Sequence, residues 1–291
     1  MLALRALPVD MRFRSFFPDF GLDHPYRQHL VHGLRKVRPG LPGGGYNPPE
    51  AERHMTRHAI VIGQTFATVT AEERFFAVAE AEVYRQRRIL EAYIASHPGF
   101  KTTLQPLEVE DDAPGIVREM AAAAARVGVG PMAAVAGALA QYSVQAMMDA
   151  GARHVIFDNG GDIVLFVERP VVVGIFTADA AIRDIGLQVL PRESLFSICT
   201  SSGTVGHSLS FGIADAALVV ARDGFLADAA ATALGNCVKT RDPAAIQTGM
   251  KELLIDGVEG LLVVVQDLML SAGDLPDIVR VNMDMNKISK G

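Results

Sequence analysis

The pattern of apolar and polar residues predicts strands and helices that occur in neighbouring groups along the chain. Residues His58 to Thr70 are rich in Ile, Val, Thr and Phe, which predicts a β-hairpin or two short strands. Helical periodicity covers 71–96, and two Ala-rich helices are predicted near 115–126 and 131–149. Further strands are predicted at 154–157, 163–168, 171–177, 195–200, 216–221, 260–266 and 278–281, and further helices at 227–238 and 243–254. Because strands and helices do not alternate strictly, the pattern favours an α+β fold with a mainly antiparallel sheet packed against Ala-rich helices.

The first part of the chain has a different character. Residues 1–54 carry clustered Pro and Gly, as in 39–45, and no sustained periodicity. We therefore expect an N-terminal extension over 1–54 and one α+β domain over 55–291. The start is basic but lacks an apolar core and a small-residue cleavage site, so no signal peptide is predicted.

Composition and charge narrow the classes of protein that fit. The chain has 291 residues, of which 49% are apolar and 21% charged, as in globular proteins. Residues 1–57 carry a net charge of +4 and the remainder −10, which argues against a nucleic-acid partner. The longest run without a charged or strongly polar residue, Val127 to Ala140, has 14 residues and is too short to span a bilayer.

The two cysteines and the small helical residues bear on location and assembly. Cys199 and Cys237 cannot form a zinc ribbon or a disulfide framework, and apolar neighbours predict that both are buried free thiols. A reducing, cytoplasmic location fits this pattern. The Ala and Gly residues of 131–149 suit close helix packing, either within the chain or across a homodimer interface.

A glycine motif near the middle of the chain matches the sequence of a dinucleotide-binding fingerprint but not its predicted structural context. Residues 128–133 read GxGxxA, but a dinucleotide site needs a strand before the motif, and here a helix is predicted. We therefore expect a junction between two helices, whose amides could still face an anion.

The turn between two predicted strands places two glycines beside polar side chains. Asn159, Gly160, Gly161 and Asp162 lie between two predicted strands. They predict either a tight hairpin turn with positive φ or a backbone that approaches a planar or phosphorylated ligand.

The segment 199–210 holds six hydroxyl residues, two glycines and one histidine. It is interpreted as an anion cradle, as a polar loop, or as a hydrolase site with Ser208 or Ser202 beside His207. A GxSxG motif is absent from this segment.

An acidic residue and a hydroxyl residue share one face of a predicted helix. Asp228 and Thr232 are four residues apart, and the residues around them are almost all Ala. The pair suits a hard cation such as Mg²⁺, which takes one or two carboxylates together with phosphate and water oxygens. Alternatively, Asp228 caps the start of its own helix.

Taken together, these segments resemble the ApbE-like superfamily, whose best-known members are FAD:protein FMN transferases. The segments VGPMAAVAGA, NGGDI, TSSGTVGHSLSFG and ADAAATALGN are similar to a compact, poorly characterised branch, and the likeness covers about 57–270. The resemblance implies that Asp228 and Thr232 help to hold the Mg²⁺ that bridges the pyrophosphate of FAD, with FAD or FMN as the flavin cofactor. It also implies a flavin cradle, for which the candidate residues are Asn159, Gly160, Gly161, Asp162, Thr200, Ser201, Ser202 and Gly203.

The chain departs from the transferase pattern at two places. The stretch Val135 to Gly137 has no lysine where transferases have one, and no Asp-Pro comes after His207. Three hypotheses remain. The first is Mg²⁺-assisted flavin binding with FMN transfer or FAD cleavage, in which His207 is the catalytic acid or base. The second is a non-catalytic flavin-binding partner of a protein in sulfur assimilation and homocysteine formation, a role that the resemblance implies. The third is the Ser/His hydrolase.

Overall fold

Antiparallel strands and a layer of helices form the structure, a computed structural model that describes residues 55–175, 182, 185–202 and 212–281 and the backbone of Arg5–Pro8. The strands, numbered along the chain, are β1 (Arg5–Pro8), β2 (Met55–Ile62), β3 (Thr65–Glu72), β4 (Val155–Asn159), β5 (Asp162–Phe166), β6 (Val171–Ile175), β7 (Ile185–Val189), β8 (Phe196–Ser201), β9 (Ala216–Ala221), β10 (Val258–Val265), β11 (Leu268–Gly273) and β12 (Asp277–Arg280). The helices are α1 (Phe76–Ser96), α2 (Pro98–Thr102), α3 (Gly115–Arg126), α4 (Val135–Asp149), α5 (Gly224–Cys237) and α6 (Pro243–Leu253).

The strands form two sheets in which all neighbours run antiparallel. The large sheet has eight strands in the order β11-β10-β9-β8-β5-β4-β3-β2. The small sheet has the order β1-β6-β7-β12. The predicted α+β fold with a mainly antiparallel sheet is therefore confirmed. Strand β1 lies within the predicted extension and pairs with β6 of the domain, while the division at residue 54 stays a prediction.

The large sheet is covered on both faces. One face packs against the helices, where residues of α3, α4, α5 and α6 meet apolar side chains such as Cys199 and Val219. The other face packs against the small sheet, where Ile163 and Ile198 meet Val173 and Leu187. Consecutive residues of a strand point to opposite faces, so the two cores divide each central strand between them.

Most predicted elements are confirmed, and the exceptions have local reasons. Strand β11 was not predicted because its hairpin turns at Gln266 and Asp267 instead of at glycine; Gln266 itself has φ 53°. Helix α5 begins three residues before the predicted start because Asp223 caps it, accepting from the amides of Phe225 and Leu226. Strand β7 and helix α2 were also missed.

The motif at 128–133 joins two helices, as expected. Helix α3 ends at Arg126, Gly128 has φ +73°, and a 3₁₀ turn over Pro131–Ala134 leads into α4. Because a helix and not a strand precedes the motif, the dinucleotide fingerprint does not apply. No single helix of the described residues is both long and apolar enough to cross a membrane. The segments Gly115–Arg126 and Pro131–Asp149 meet that test only as a pair bent by 103°.

Helices α4 and α5 cross with their backbones in contact. A Cβ atom added at Gly137 would lie 2.1 Å from the carbonyl oxygen of Gly224 and 2.8 Å from Cβ of Asp228. A Cβ added at Gly224 would lie 2.9 Å from the carbonyl oxygen of Gly137. Both positions therefore require glycine, and this crossing sets how far apart the two helices lie.

We predict that Gly137→Ala lowers the free energy of unfolding by about 3 kcal/mol, at the upper end for an overpacked site, because no flexible side chain can give way. Urea unfolding monitored by circular dichroism measures the change. Gly99→Ala is the matched control, since a Cβ at Gly99 meets nothing within 4 Å. Equal stability of both variants would mean that the two backbones do not touch at this crossing.

A histidine beside β4 links the stability of the fold to pH. Burial, and secondarily the charge of Arg169, lowers the pKa of His154 from 6.5 to about 4, while Glu168 opposes the shift. Its Nδ1 atom is buried and has no hydrogen-bond partner among the described residues. The unfolded chain therefore takes up a proton near pH 6.5 that the folded chain takes up only near pH 4.

We predict that stability conferred by neutral His154 is present above about pH 6.5 and is lost as the pH falls toward 4. Between pH 7 and pH 5 the free energy of unfolding should fall by about 1 kcal/mol more in the wild-type chain than in His154→Gln. The partial exposure of the ring makes this difference smaller than full burial would give. Denaturant titrations at both pH values measure this difference. Equal losses in the two proteins would contradict the shifted pKa.

Candidate functional site

Three of the predicted site residues, Asn159, Asp162 and Asp228, lie where the β4–β5 turn, the end of β8, the start of α4 and the first two turns of α5 meet. The turn places Gly160 at φ +69° and Gly161 at φ +106°, so the predicted tight turn with positive φ is confirmed. The Gly161 amide donates to Oδ1 of Asp158 (3.0 Å), which closes the turn. The Asn159 side chain donates to the carbonyl oxygen of Ala136 (3.2 Å) and ties the turn to α4.

Asp162 is the carboxylate at the start of β5. Its Oδ1 accepts from the Thr200 amide (3.3 Å) on the neighbouring strand β8. Burial raises its pKa to about 7, against the Thr200 hydrogen bond and with a further increase from the charge of Asp158. Burial also raises the pKa of Asp158, to about 6. Alternation along β4 places Asp158 with Ile156 on the small-sheet face, so its role is to hold the turn.

Asp228 lies in the second turn of α5 and is buried, with 8% of its surface exposed. Its Oδ2 accepts from the Gly137 amide (2.8 Å) at the start of α4. Burial raises the pKa of Asp228 well above its usual value, and the charge of Asp162 raises it further, while the amides of Gly137 and Ala136 oppose the shift. The expectation that Asp228 caps its own helix is wrong, because that cap is Asp223. Asp228 instead caps the neighbouring helix α4.

The two helices cap each other. While Asp228 of α5 accepts from Gly137 of α4, Oε1 of Gln141 on α4 accepts from the Gly224 amide of α5 (2.5 Å). Asp223 accepts from the next two amides of α5, those of Phe225 (2.9 Å) and Leu226 (3.3 Å). The amide donors at the start of α5 are therefore satisfied by the protein itself.

The cysteines differ from each other. Cys199 is buried as predicted, but Cys237 is exposed at the end of α5, so the prediction of two buried thiols is wrong for Cys237. Burial raises the pKa of the Cys199 thiol well above its usual value, and the nearby charges of Asp162 and Asp228 add to the shift. Cys199 therefore lies near both carboxylates as a neutral thiol.

Only some of the hydroxyl residues predicted for the site lie within the residues that the structure describes. Ser201 and Ser202 are buried, and Oγ1 of Thr200 is buried without a hydrogen-bond partner among the described residues. Thr232 is half-buried, one helical turn beyond Asp228. Gly203, His207 and Ser208 lie outside the described residues, so the histidine role and the hydrolase alternative stay predictions.

Gly137, Gln141 and Gly224 were not predicted as site residues. The Ala and Gly content of α4 did predict a close helix contact, but not which glycine makes it. The spacing carries a usable signal, since Gly137 precedes Gln141 by four residues and Gly224 precedes Asp228 by four. In each helix this spacing places a glycine and an acceptor on one face.

Comparison with known proteins adds family relationships. A family model described as AbpE bacteria matches residues 51–288. A UPF0280 protein of Methanocella arvoryzae is 48% identical over 231 residues, which are 79% of this chain and 94% of that protein. A UPF0280 protein of Methanothrix thermoacetophila is 41% identical over 239 residues, covering 81% of this chain and 100% of that protein.

Two solved structures have a distant likeness to the chain. Flavinyl transferase ApbE of Pseudomonas stutzeri, in its apo form, is 12% identical with a TM-score of 0.48 and covers 75% of this chain and 93% of its own. Flavin transferase ApbE of Vibrio cholerae is 11% identical with a TM-score of 0.40, and the match covers 75% of this chain and 96% of that protein.

We predict that the capping and charge of Asp228 can be separated by two substitutions. Asp228→Asn keeps an oxygen that accepts from the Gly137 amide, so the free energy of unfolding should change by less than about 1 kcal/mol. Asp228→Ala leaves buried amides without an acceptor and should cost about 1–3 kcal/mol. Urea unfolding of the three proteins measures both values. Equal losses for the two variants would show that the hydrogen bond to α4 is not what Asp228 contributes.

Proposed function

We propose, from the premise that the chain belongs to the family described as AbpE bacteria, that it binds a flavin nucleotide, FAD or FMN, together with Mg²⁺. The ligand would lie against the β4–β5 turn and the end of β8. Asp228 and Thr232 would be ligands of the cation, as the family resemblance implies, and Asp162 would face it. Asn159 to Asp162 and Thr200 to Gly203 would line the cradle.

The observation that carries this proposal is the pairing of two desolvated carboxylates, Asp162 and Asp228, beside the starts of two helices. Both carboxylates accept from neutral backbone amides, Asp162 from Thr200 and Asp228 from Gly137. Burying two carboxylates without a cation is costly, since each loses its hydration. A divalent cation would offset their charge.

The donor set fits Mg²⁺. The Gly137 amide of α4 donates to Oδ2 of Asp228, and the second carboxylate oxygen can serve a cation. No group of three or more His, Cys, Asp or Glu within the described residues is arranged to hold a metal. Mg²⁺ does not need such a group, because it commonly combines one or two carboxylates with phosphate and water oxygens. When bound, the ion would neutralise phosphate charge and orient the diphosphate.

Whether FMN transfer accompanies binding is a separate matter, and one feature favours binding alone. The stretch Val135 to Gly137, where transferases have a lysine, lies at the crossing of the two helices. A side chain at Gly137 would begin 2.1 Å from the Gly224 carbonyl oxygen. We therefore propose flavin binding without turnover as a second candidate function next to FMN transfer. A cytoplasmic location, a homodimer and a protein partner in sulfur metabolism stay predictions from the sequence.

The test is equilibrium binding of FAD to the purified full chain, by flavin fluorescence, with and without Mg²⁺. We expect binding that strengthens with Mg²⁺ and that weakens about tenfold or more in Asp228→Asn, because a ligand carboxylate is lost. Asp242→Asn is the matched control. It makes the same change at the exposed cap of α6, where the carboxylate accepts from the Ala244 amide.

Release of AMP from bound FAD then separates the two proposals. AMP formed only with Mg²⁺ would support a transferase or pyrophosphate cleavage, and binding without AMP would support a binding protein. FMN is titrated under the same conditions, and absence of both FAD and FMN binding would refute the proposed function.

A further inference from the structure

Gln141 of α4 is hydrogen-bonded to the start of α5. Its Oε1 accepts from the amide of Gly224, the first residue of that helix (2.5 Å). Gly224, Asp228 and Thr232 are spaced at intervals of four residues and so form one stripe along α5. Gln141 therefore binds the first residue of the stripe, Gly224, and the same stripe carries the candidate cation ligands Asp228 and Thr232.

The crossing of the helices allows little other adjustment. Gly137 and Gly224 bring the backbones into contact, so α5 cannot move closer to α4. Rotation of α5 about its axis is opposed by two hydrogen bonds, Gly137 to Asp228 (2.8 Å) and Gly224 to Gln141. If the second bond is lost, the bond from Gly137 remains at this crossing, and it uses the same carboxylate that would bind the cation.

From this arrangement we infer that Gln141 is a positioning residue for the cation site: by accepting from Gly224 it fixes α5, so that Asp228 can cap α4 with one oxygen and present the other to a divalent cation. This inference rests on the proposed function. Gln141 itself would touch neither cation nor nucleotide, because it acts through the backbone of α5.

Two substitutions test this role on the full chain. Gln141→Met keeps the length and volume of the side chain but removes the acceptor. Gln141→Glu keeps an acceptor oxygen. For each protein, the Mg²⁺ concentration that half-saturates FAD binding is measured alongside FAD affinity without Mg²⁺ and thermal stability. We expect Gln141→Met to raise the half-saturating Mg²⁺ concentration about tenfold and Gln141→Glu to restore it.

Two controls separate positioning from loss of stability. Gln145→Met makes the same change one turn later on α4, where the side chain is exposed and donates to Asp149 (2.9 Å). Val144→Ala removes buried volume from the core that α4 forms with α1 and β4, without removing a hydrogen bond to α5. Val144→Ala should lower the melting temperature without changing the half-saturating Mg²⁺ concentration.

The outcomes are distinct. A higher half-saturating Mg²⁺ concentration in Gln141→Met, with rescue by Gln141→Glu and none of this change in Val144→Ala, supports the inference. A lower melting temperature in Gln141→Met at unchanged Mg²⁺ dependence overturns it, because Gln141 is then a structural cap only. Wild-type protein that binds neither FAD nor FMN with Mg²⁺ overturns the proposed function and this inference together.

Discussion

The contact between the backbones of α4 and α5 is the constraint on which the rest of this region depends. Two glycines permit it, and each donates its amide to an acceptor on the other helix: Gly137 to Asp228, and Gly224 to Gln141. A helix start normally leaves amides that need water or a local cap. Here the helices satisfy each other, so both can begin in a buried place. The β4–β5 turn joins the same assembly through Asn159, which binds α4 at Ala136.

This arrangement brings two carboxyl groups together where water is excluded. Asp228 is needed to cap α4, and Asp162 faces the same buried space from β5, with the Cys199 thiol near both. The positive ends of two helices offset part of the carboxylate charge. They do not offset the loss of hydration on burial, which raises the pKa of both carboxyl groups. The structural task of Asp228 and a role in cation binding are therefore compatible, because a carboxylate has two oxygens and the cap uses Oδ2.

The sequence was sufficient for much of this architecture, for identifiable reasons. The hairpin of β2 and β3 has strong β-forming residues, and Gly160 and Gly161 predict a turn that only positive φ allows. The site was less predictable. That Asp228 caps α4 depends on contact between residues 91 positions apart, and nothing local to α5 indicates it. Asp223, and not Asp228, caps α5, because its short side chain reaches the first amides of that helix. The start of α5 at Gly224 was not predicted, because glycine is a poor helix former. The exposure of Cys237 likewise depends on how α5 ends against its neighbours.

The spacing within the two helices has a consequence for how this chain can change over evolutionary time. In each helix the glycine and the acceptor are four residues apart, and each inserted residue rotates the remainder of the helix by about 100°. An insertion or deletion between Gly137 and Gln141, or between Gly224 and Asp228, would turn the acceptor away from the glycine of its own helix, so the two caps could no longer form together. Length variation is therefore excluded from these two five-residue windows, which must be inherited as a matched pair.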